Sequence, residues 1–124
     1  MKDNRPVNLE IGTMKLPLTA YASILHRISG VFIFAGVALL LCLLGSSLES
    51  EESFRAAQES LQSPVAKFAL WVVLAGLIYH LVAGTKHLIM DMGIGESLEG
   101  GLLGAKLTIA ISAVLIILAG VWIV

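Results

Sequence analysis

Three stretches of this 124-residue chain contain no Asp, Glu, Lys or Arg: residues 28–48, 68–85 and 107–124. A helix needs roughly 20 mostly apolar residues to cross the hydrocarbon core of a bilayer, with a range of about 17–25. Each stretch falls in that range. Without water a spanning segment must satisfy its own backbone, so all three read as helices. Apolar residues surround each segment instead of forming a single stripe, as lipid contact requires. Composition agrees, since only 14% of residues are charged against about 25% in ordinary soluble domains. The expected fold class is an all-α membrane protein with three transmembrane helices. It forms one domain over 1–124, with spans near 22–48, 65–92 and 104–124. Core helices of a large soluble complex are the competing reading, and three windows of spanning length weigh against it.

The remaining composition excludes several functions. A net charge of −1 leaves no basic surplus for nucleic acid. The single cysteine, Cys42, permits neither an internal disulfide nor a four-cysteine metal site; at mid-span it reads as an ordinary buried small residue. The glycines at 93, 95, 100, 101 and 104 lack both the G-x-G-x-x-G spacing and a preceding strand, so they read as a turn and not as a nucleotide site. The 27 residues before the first apolar run include Asp3, Pro6, Glu10 and Pro17. That is unlike a cleaved signal or a transit peptide, and it points to a bacterial inner (cytoplasmic) membrane protein.

Basic residues set the expected orientation. Lys2, Arg5, Lys15 and Arg27 precede the first span, Arg55 and Lys67 lie in the first loop among four glutamates, and Lys86 and Lys106 flank the second loop. Placing the N-terminus and second loop in the cytoplasm puts six of the eight basic residues inside. Local signals mark the boundaries. Thr19 is an expected N-cap for the first helix, and Ser63-Pro64 is an N-cap followed by an N1 proline. Phe54, Ala57 and Leu61 suggest a short amphipathic helix on the outer surface. Trp71 and Trp122 fall near the outer ends of their spans, where interfacial tryptophans are expected.

Ionisable residues at membrane depth are costly and point to function. Ser23, His26, Arg27 and Gly30 lie at i, i+3, i+4 and i+7 and so share one helical face. An arginine beside a histidine and a hydroxyl offers several hydrogen bonds to an acidic or carbonyl-bearing ligand; Arg27 alone would read as a positive-inside anchor. The second cluster is His80, Gly84, Lys86, His87 and Asp91. His80 and His87 are seven residues apart, about 10 Å along one face. Gly76 and Gly84 flank His80 by one turn each. Such glycines leave room for a flat ligand such as haem, for which imidazole is a standard axial ligand. They serve equally for close helix packing around a hydrogen-bonded histidine, and spacing alone leaves both open.

Together these residues carry a resemblance. Arg5-Pro6-Val7, then Ser23-Ile24-Leu25-His26-Arg27-Ile28-Ser29-Gly30, then His80-Leu81-Val82-Ala83-Gly84-Thr85-Lys86-His87-Leu88-Ile89-Met90-Asp91-Met92-Gly93 resemble the larger cytochrome b membrane-anchor subunit of succinate dehydrogenase (complex II). The likeness covers essentially the whole chain. It implies half of a heterodimeric haem-binding helical bundle, with a second small anchor subunit supplying the other axial histidine. It implies docking of a flavoprotein and an iron–sulfur subunit, haem b as a shared cofactor, ubiquinone as substrate and a lipid membrane as the setting. No nucleic-acid partner is implied. Residue by residue, His80 is implied as an axial ligand to the haem iron, and His26, Arg27 and His87 as propionate contacts. Ser23 and Arg27 are implied as the quinone-contacting pair, with Asp91 as a possible member of a proton path. No residue of this chain is expected to be catalytic in the dehydrogenase sense. The family usually carries arginine where this chain has Lys86, which keeps the charge and loses the planar fork. Two other functions remain to be distinguished by experiment: a haem-free structural anchor of a fumarate reductase-type complex, and a small proton or ion transporter subunit.

Overall fold

The structure is a computed structural model that describes residues 16–124. Arg5-Pro6-Val7 and the basic residues Lys2, Arg5 and Lys15 lie outside the described residues. Four helices follow in order: α1 (Leu18–Ser47), α2 (Glu51–Ser60), α3 (Pro64–Asp91) and α4 (Leu98–Ile123). There is no strand among the described residues. The helices α1, α3 and α4 are each long and apolar enough to cross a membrane. They pack on one another as a three-helix bundle, and α2 rests against α1.

The helix starts follow the cap chemistry with one change. Ser63 accepts the Ala66 N–H at 3.2 Å with Pro64 at N1, as the Ser-Pro pair predicts. Ser50 caps α2 through the Ser53 N–H. In α1 the cap is Pro17, not the expected Thr19; its φ of −67° and ψ of 160° provide the extended conformation, with no side-chain bond. The residue before a helix needs that backbone shape first and a side-chain acceptor second, and proline is already held near this φ. The face that α2 turns inward carries Ser53, Ala57 and Leu61, all half-buried, while Phe54 is exposed.

The third long helix begins at Leu98, six residues before the expected 104. Among the described residues only Gly93 (φ +85°) and Gly95 (φ +72°) adopt the left-handed backbone that breaks the chain. Ser97 then caps α4 by accepting the Gly100 N–H, and Gly100, Gly101 and Gly104 lie inside the helix. Their missing side chains serve packing: Gly101 faces Thr19, and Gly104 faces the Lys86 stem.

Small residues form the seams of the bundle. On α1 the buried positions are Ala22, Ser29 and Gly36, seven apart. On α4 they are Gly101, Ala105, Thr108 and Ser112. In lipid no hydrophobic force drives apolar helices together, so close backbone approach and interhelical hydrogen bonds do this. Two of the bonds that tie α3 to its neighbours lie outside the histidine group. Tyr79 donates its hydroxyl to the Ala22 carbonyl at 2.6 Å, and Trp71 donates Nε1–H to the Ile116 carbonyl at 2.9 Å. Trp71 is thus a half-buried clamp between α3 and α4 and not the interfacial anchor expected, whereas Trp122 is 81% exposed. Cys42 is also exposed on the bundle surface, not buried. The large apolar side chains point outward almost throughout, including Phe34, Leu39, Ile117 and Val121, as on a chain solvated by lipid or by other apolar helices.

Candidate functional site

The first half of α1 and the second half of α3 lie side by side at one end of the bundle. The periodicity of α1 puts Ser23, His26 and Arg27 on the side facing α3, and α3 answers with His80, Gly84 and His87. These six residues, with Leu81, Thr85 and Leu88, line an open cleft of about 570 Å³. That size lies within the roughly 300–1,000 Å³ of small-molecule and cofactor sites. Every site residue expected on these two helices is present except Asp91, which is exposed at the end of α3 and does not line the cleft.

The three histidines form one continuous group. The rings of His26 and His80 are stacked, with centroids 4.1 Å apart and planes 12° from parallel. His87 lies against His26 at 5.1 Å and 60°. Glycines make this proximity possible, though not the pair that spacing singled out. A Cβ at Gly30 would come within 3.1 Å of His80 Cε1, and one at Gly84 within 3.4 Å of His26 Nε2. Gly76 instead receives Phe32, whose Cδ1 would lie 2.6 Å from an added Cβ. The reason is geometric. A glycine one turn along the same helix opens space toward the neighbouring helix, so the ring that fills it comes from across the seam.

Hydrogen bonding holds His80 at its Nδ1 edge. Ser29 Oγ is 3.0 Å from His80 Nδ1, and the His26 carbonyl is 3.2 Å from the same nitrogen. Ser29 also donates to the His26 carbonyl at 2.7 Å. The sequence reading quoted Ser29 inside its motif but gave it no role. The available signal was a hydroxyl three residues after His26, on the same seven-residue stripe as Ala22 and Gly36. His26 Nε2 is buried and has no hydrogen-bond partner among the described residues, which costs free energy unless a ligand satisfies it.

Lys86 turns the other way. It lines a separate, largely apolar groove of about 450 Å³ between α3 and α4, together with Val82, Ile89, Leu107 and Ile111. Its stem lies over Gly104, 3.5 Å from the Cβ position. Lys86 is therefore turned away from the histidine cleft that sequence proximity had placed it in, because successive helical residues diverge by about 100°, whereas Asp91 lies one turn beyond His87 at the end of α3 and outside the cleft lining.

The cleft is lined by imidazoles, a guanidinium and hydroxyls, with no carboxylate among its lining residues. Such a donor set suits a ligand with negative or carbonyl oxygens. The described residues bring no three His, Cys, Asp or Glu side chains together to hold a bare metal ion. A single imidazole suffices for an iron that arrives with its own equatorial ligands, as in haem. The orphaned His26 Nε2, the glycine-cleared edge of His80 and the cationic rim at Arg27 all fit that group and its carboxylates.

Comparison with known proteins points the same way. Residues 1–119 match the family described as succinate dehydrogenase/fumarate reductase transmembrane subunit. The chain is 40% identical over 124 residues to the succinate dehydrogenase cytochrome b556 subunit of Coxiella burnetii, covering 99% of each. It is 33% identical to the subunit of the same name from Paracoccus denitrificans, covering 94% of this chain and 90% of that one. It is 28% identical to the succinate dehydrogenase cytochrome b560 subunit of Reclinomonas americana over its full length and 88% of the relative.

Proposed function

The chain belongs to the succinate dehydrogenase/fumarate reductase transmembrane subunit family, as a multi-pass anchor of the cytochrome b type, and we propose that it binds haem b jointly with a second small anchor subunit and helps to form a ubiquinone site. The observation that carries this is the α1–α3 cleft. It gathers His80, His26, His87, Arg27 and Ser23 around one space with no carboxylate in its lining.

His80 would hold the haem iron together with a histidine of the partner anchor, and the bound haem would supply one-electron transfer. His26, through its unpartnered Nε2, and Arg27 and His87 at the rim satisfy propionate carboxylates that would otherwise be buried unpaired. Arg27 is exposed while Ser23 is half-buried beside it. The two hold a quinone by its carbonyl oxygens at the edge of the cleft and stabilise negative charge as it develops there. Protons reach that edge from the adjoining aqueous phase, with Asp91 at the end of α3 as a relay. The anchor sits in a bacterial inner membrane with its N-terminus cytoplasmic. Its cytoplasmic end docks the iron–sulfur subunit, which carries the flavoprotein.

The test is a dithionite-reduced minus oxidised spectrum of the purified complex, with its copurifying chains identified. A b-type α-band together with a second small anchor, a flavoprotein and an iron–sulfur protein is the expected result. An intact, fully assembled complex with no such band is the outcome for a haem-free anchor and removes the haem assignment. Ion flux through vesicles containing the anchors without the soluble subunits would favour a transporter instead.

A further inference from the structure

Two groups face Nδ1 of His80, and both are acceptors. One is the carbonyl oxygen of His26, at 3.2 Å, which can only accept. The other is Ser29 Oγ, at 3.0 Å. The Ser29 hydroxyl has one proton and donates it at 2.7 Å to the same His26 carbonyl, so it turns lone pairs toward the imidazole. A nitrogen between two acceptors carries hydrogen. A neutral imidazole has a single N–H, which leaves Nε2 as the nitrogen with the free lone pair.

We propose that Ser29 is a positioning residue for haem ligation: with the His26 carbonyl it holds His80 in the Nδ1–H tautomer, makes Nε2 the ligating nitrogen and fixes the rotation of the ring about the axial bond. The proposal rests on His80 being the axial ligand. Ring rotation is restrained from three sides. Ser29 is 8% exposed and holds one edge, the His26 ring covers one face at 4.1 Å, and Gly30 lies so close on α1 that an added Cβ would be 3.1 Å from Cε1. Metal-bound histidines commonly donate their second N–H to a carbonyl or similar acceptor, which orients the ring and makes the ligating nitrogen more basic; loss of that partner typically costs 10–100-fold in metal affinity. A more basic axial nitrogen favours ferric over ferrous iron. Ser29 therefore lowers the haem potential.

The test compares Ser29→Ala and Ser29→Thr in the whole assembled complex. The readouts are the haem midpoint potential, the g-values of the low-spin ferric signal and haem retention on dilution. Ser29→Ala should raise the midpoint potential, shift the largest g-value and weaken haem retention roughly tenfold. Ser29→Thr, which keeps the hydroxyl, should restore all three. A Ser29→Ala complex identical to the parent overturns the proposal. So does a Ser29→Thr complex as altered as Ser29→Ala, because bulk and not the hydroxyl would then matter. If Ser29→Ala fails to assemble, Ser29→Cys, of similar size but a weak acceptor, is read by the same criteria. His80→Leu is measured in parallel. An unchanged low-spin signal there removes the axial reading itself, whereas a changed one beside a parental Ser29→Ala removes only the role of Ser29.

Discussion

Arg27 lies exposed at the mouth of a cleft whose deeper wall is made of histidines, so charge and ligand selection are separated by depth. Arg27→Leu removes the guanidinium without emptying the seam. Quinone reduction should fall at least tenfold while succinate oxidation by an artificial dye continues; normal quinone turnover in that variant would take Arg27 out of the site. Arg27→Lys should recover part of the loss, because it keeps the charge but not the fork. Gly30 makes a different demand. Its Cβ position is 3.1 Å from His80 Cε1, so Gly30→Val drives the imidazole away from Ser29 and should strip or alter the b-type spectrum. The strain expected of such overpacking is about 1–3 kcal/mol. A parental spectrum from an assembled Gly30→Val complex would show that the close approach is not needed.

At the scale of the element, each helix start and each seam has an identifiable cause. Ser63→Ala removes the acceptor for the Ala66 N–H and should lower stability by about 1 kcal/mol, read as a drop in the thermal midpoint of the complex. Trp71→Phe keeps the ring bulk but leaves the Ile116 carbonyl without its donor, again at about 1 kcal/mol. Haem content should be untouched in both, since neither residue lines the cleft. Loss of haem in Trp71→Phe would mean that the α3–α4 seam also positions His80. The three long apolar helices, the Ser63 cap and the short α2 could be read from the sequence because each depends on local chemistry, whereas the α1 cap fell on Pro17 in place of the expected Thr19. The start of α4 could not be read there. Glycines at 100, 101 and 104 look like breakers until Gly95, Thr19 and the Lys86 stem of α3 pack against them in turn.

For the whole molecule, orientation ties the site to its soluble partners. In the proposed orientation, which rests on the distribution of lysine and arginine, the cleft lies at the cytoplasmic end and the α2 connection outside. In intact spheroplasts a membrane-impermeant maleimide should label Gln62→Cys directly, and Glu96→Cys only after permeabilisation. Both positions are exposed. Cys42, exposed on the apolar mid-section of α1, should stay unlabelled in lipid. The reverse pattern would put the cleft on the outer face, away from a cytoplasmic iron–sulfur partner.

The sequence by itself determined the helical class, the three apolar segments and the basic bias between their ends, because hydrocarbon admits few backbone solutions and each is written in local composition. It also supplied Ser23, His26, Arg27, His80 and His87, whose polarity stands out against apolar surroundings. Only the tertiary structure decided which of them meet. It stacked His26 on His80, turned Lys86 toward α4, left Asp91 outside the cleft and brought Ser29 to the Nδ1 edge of His80. Those outcomes depend on how two helices cross and on which small residues let their backbones approach. The histidine contacts lie more than fifty residues apart in the chain, where no periodicity within a single helix can specify them.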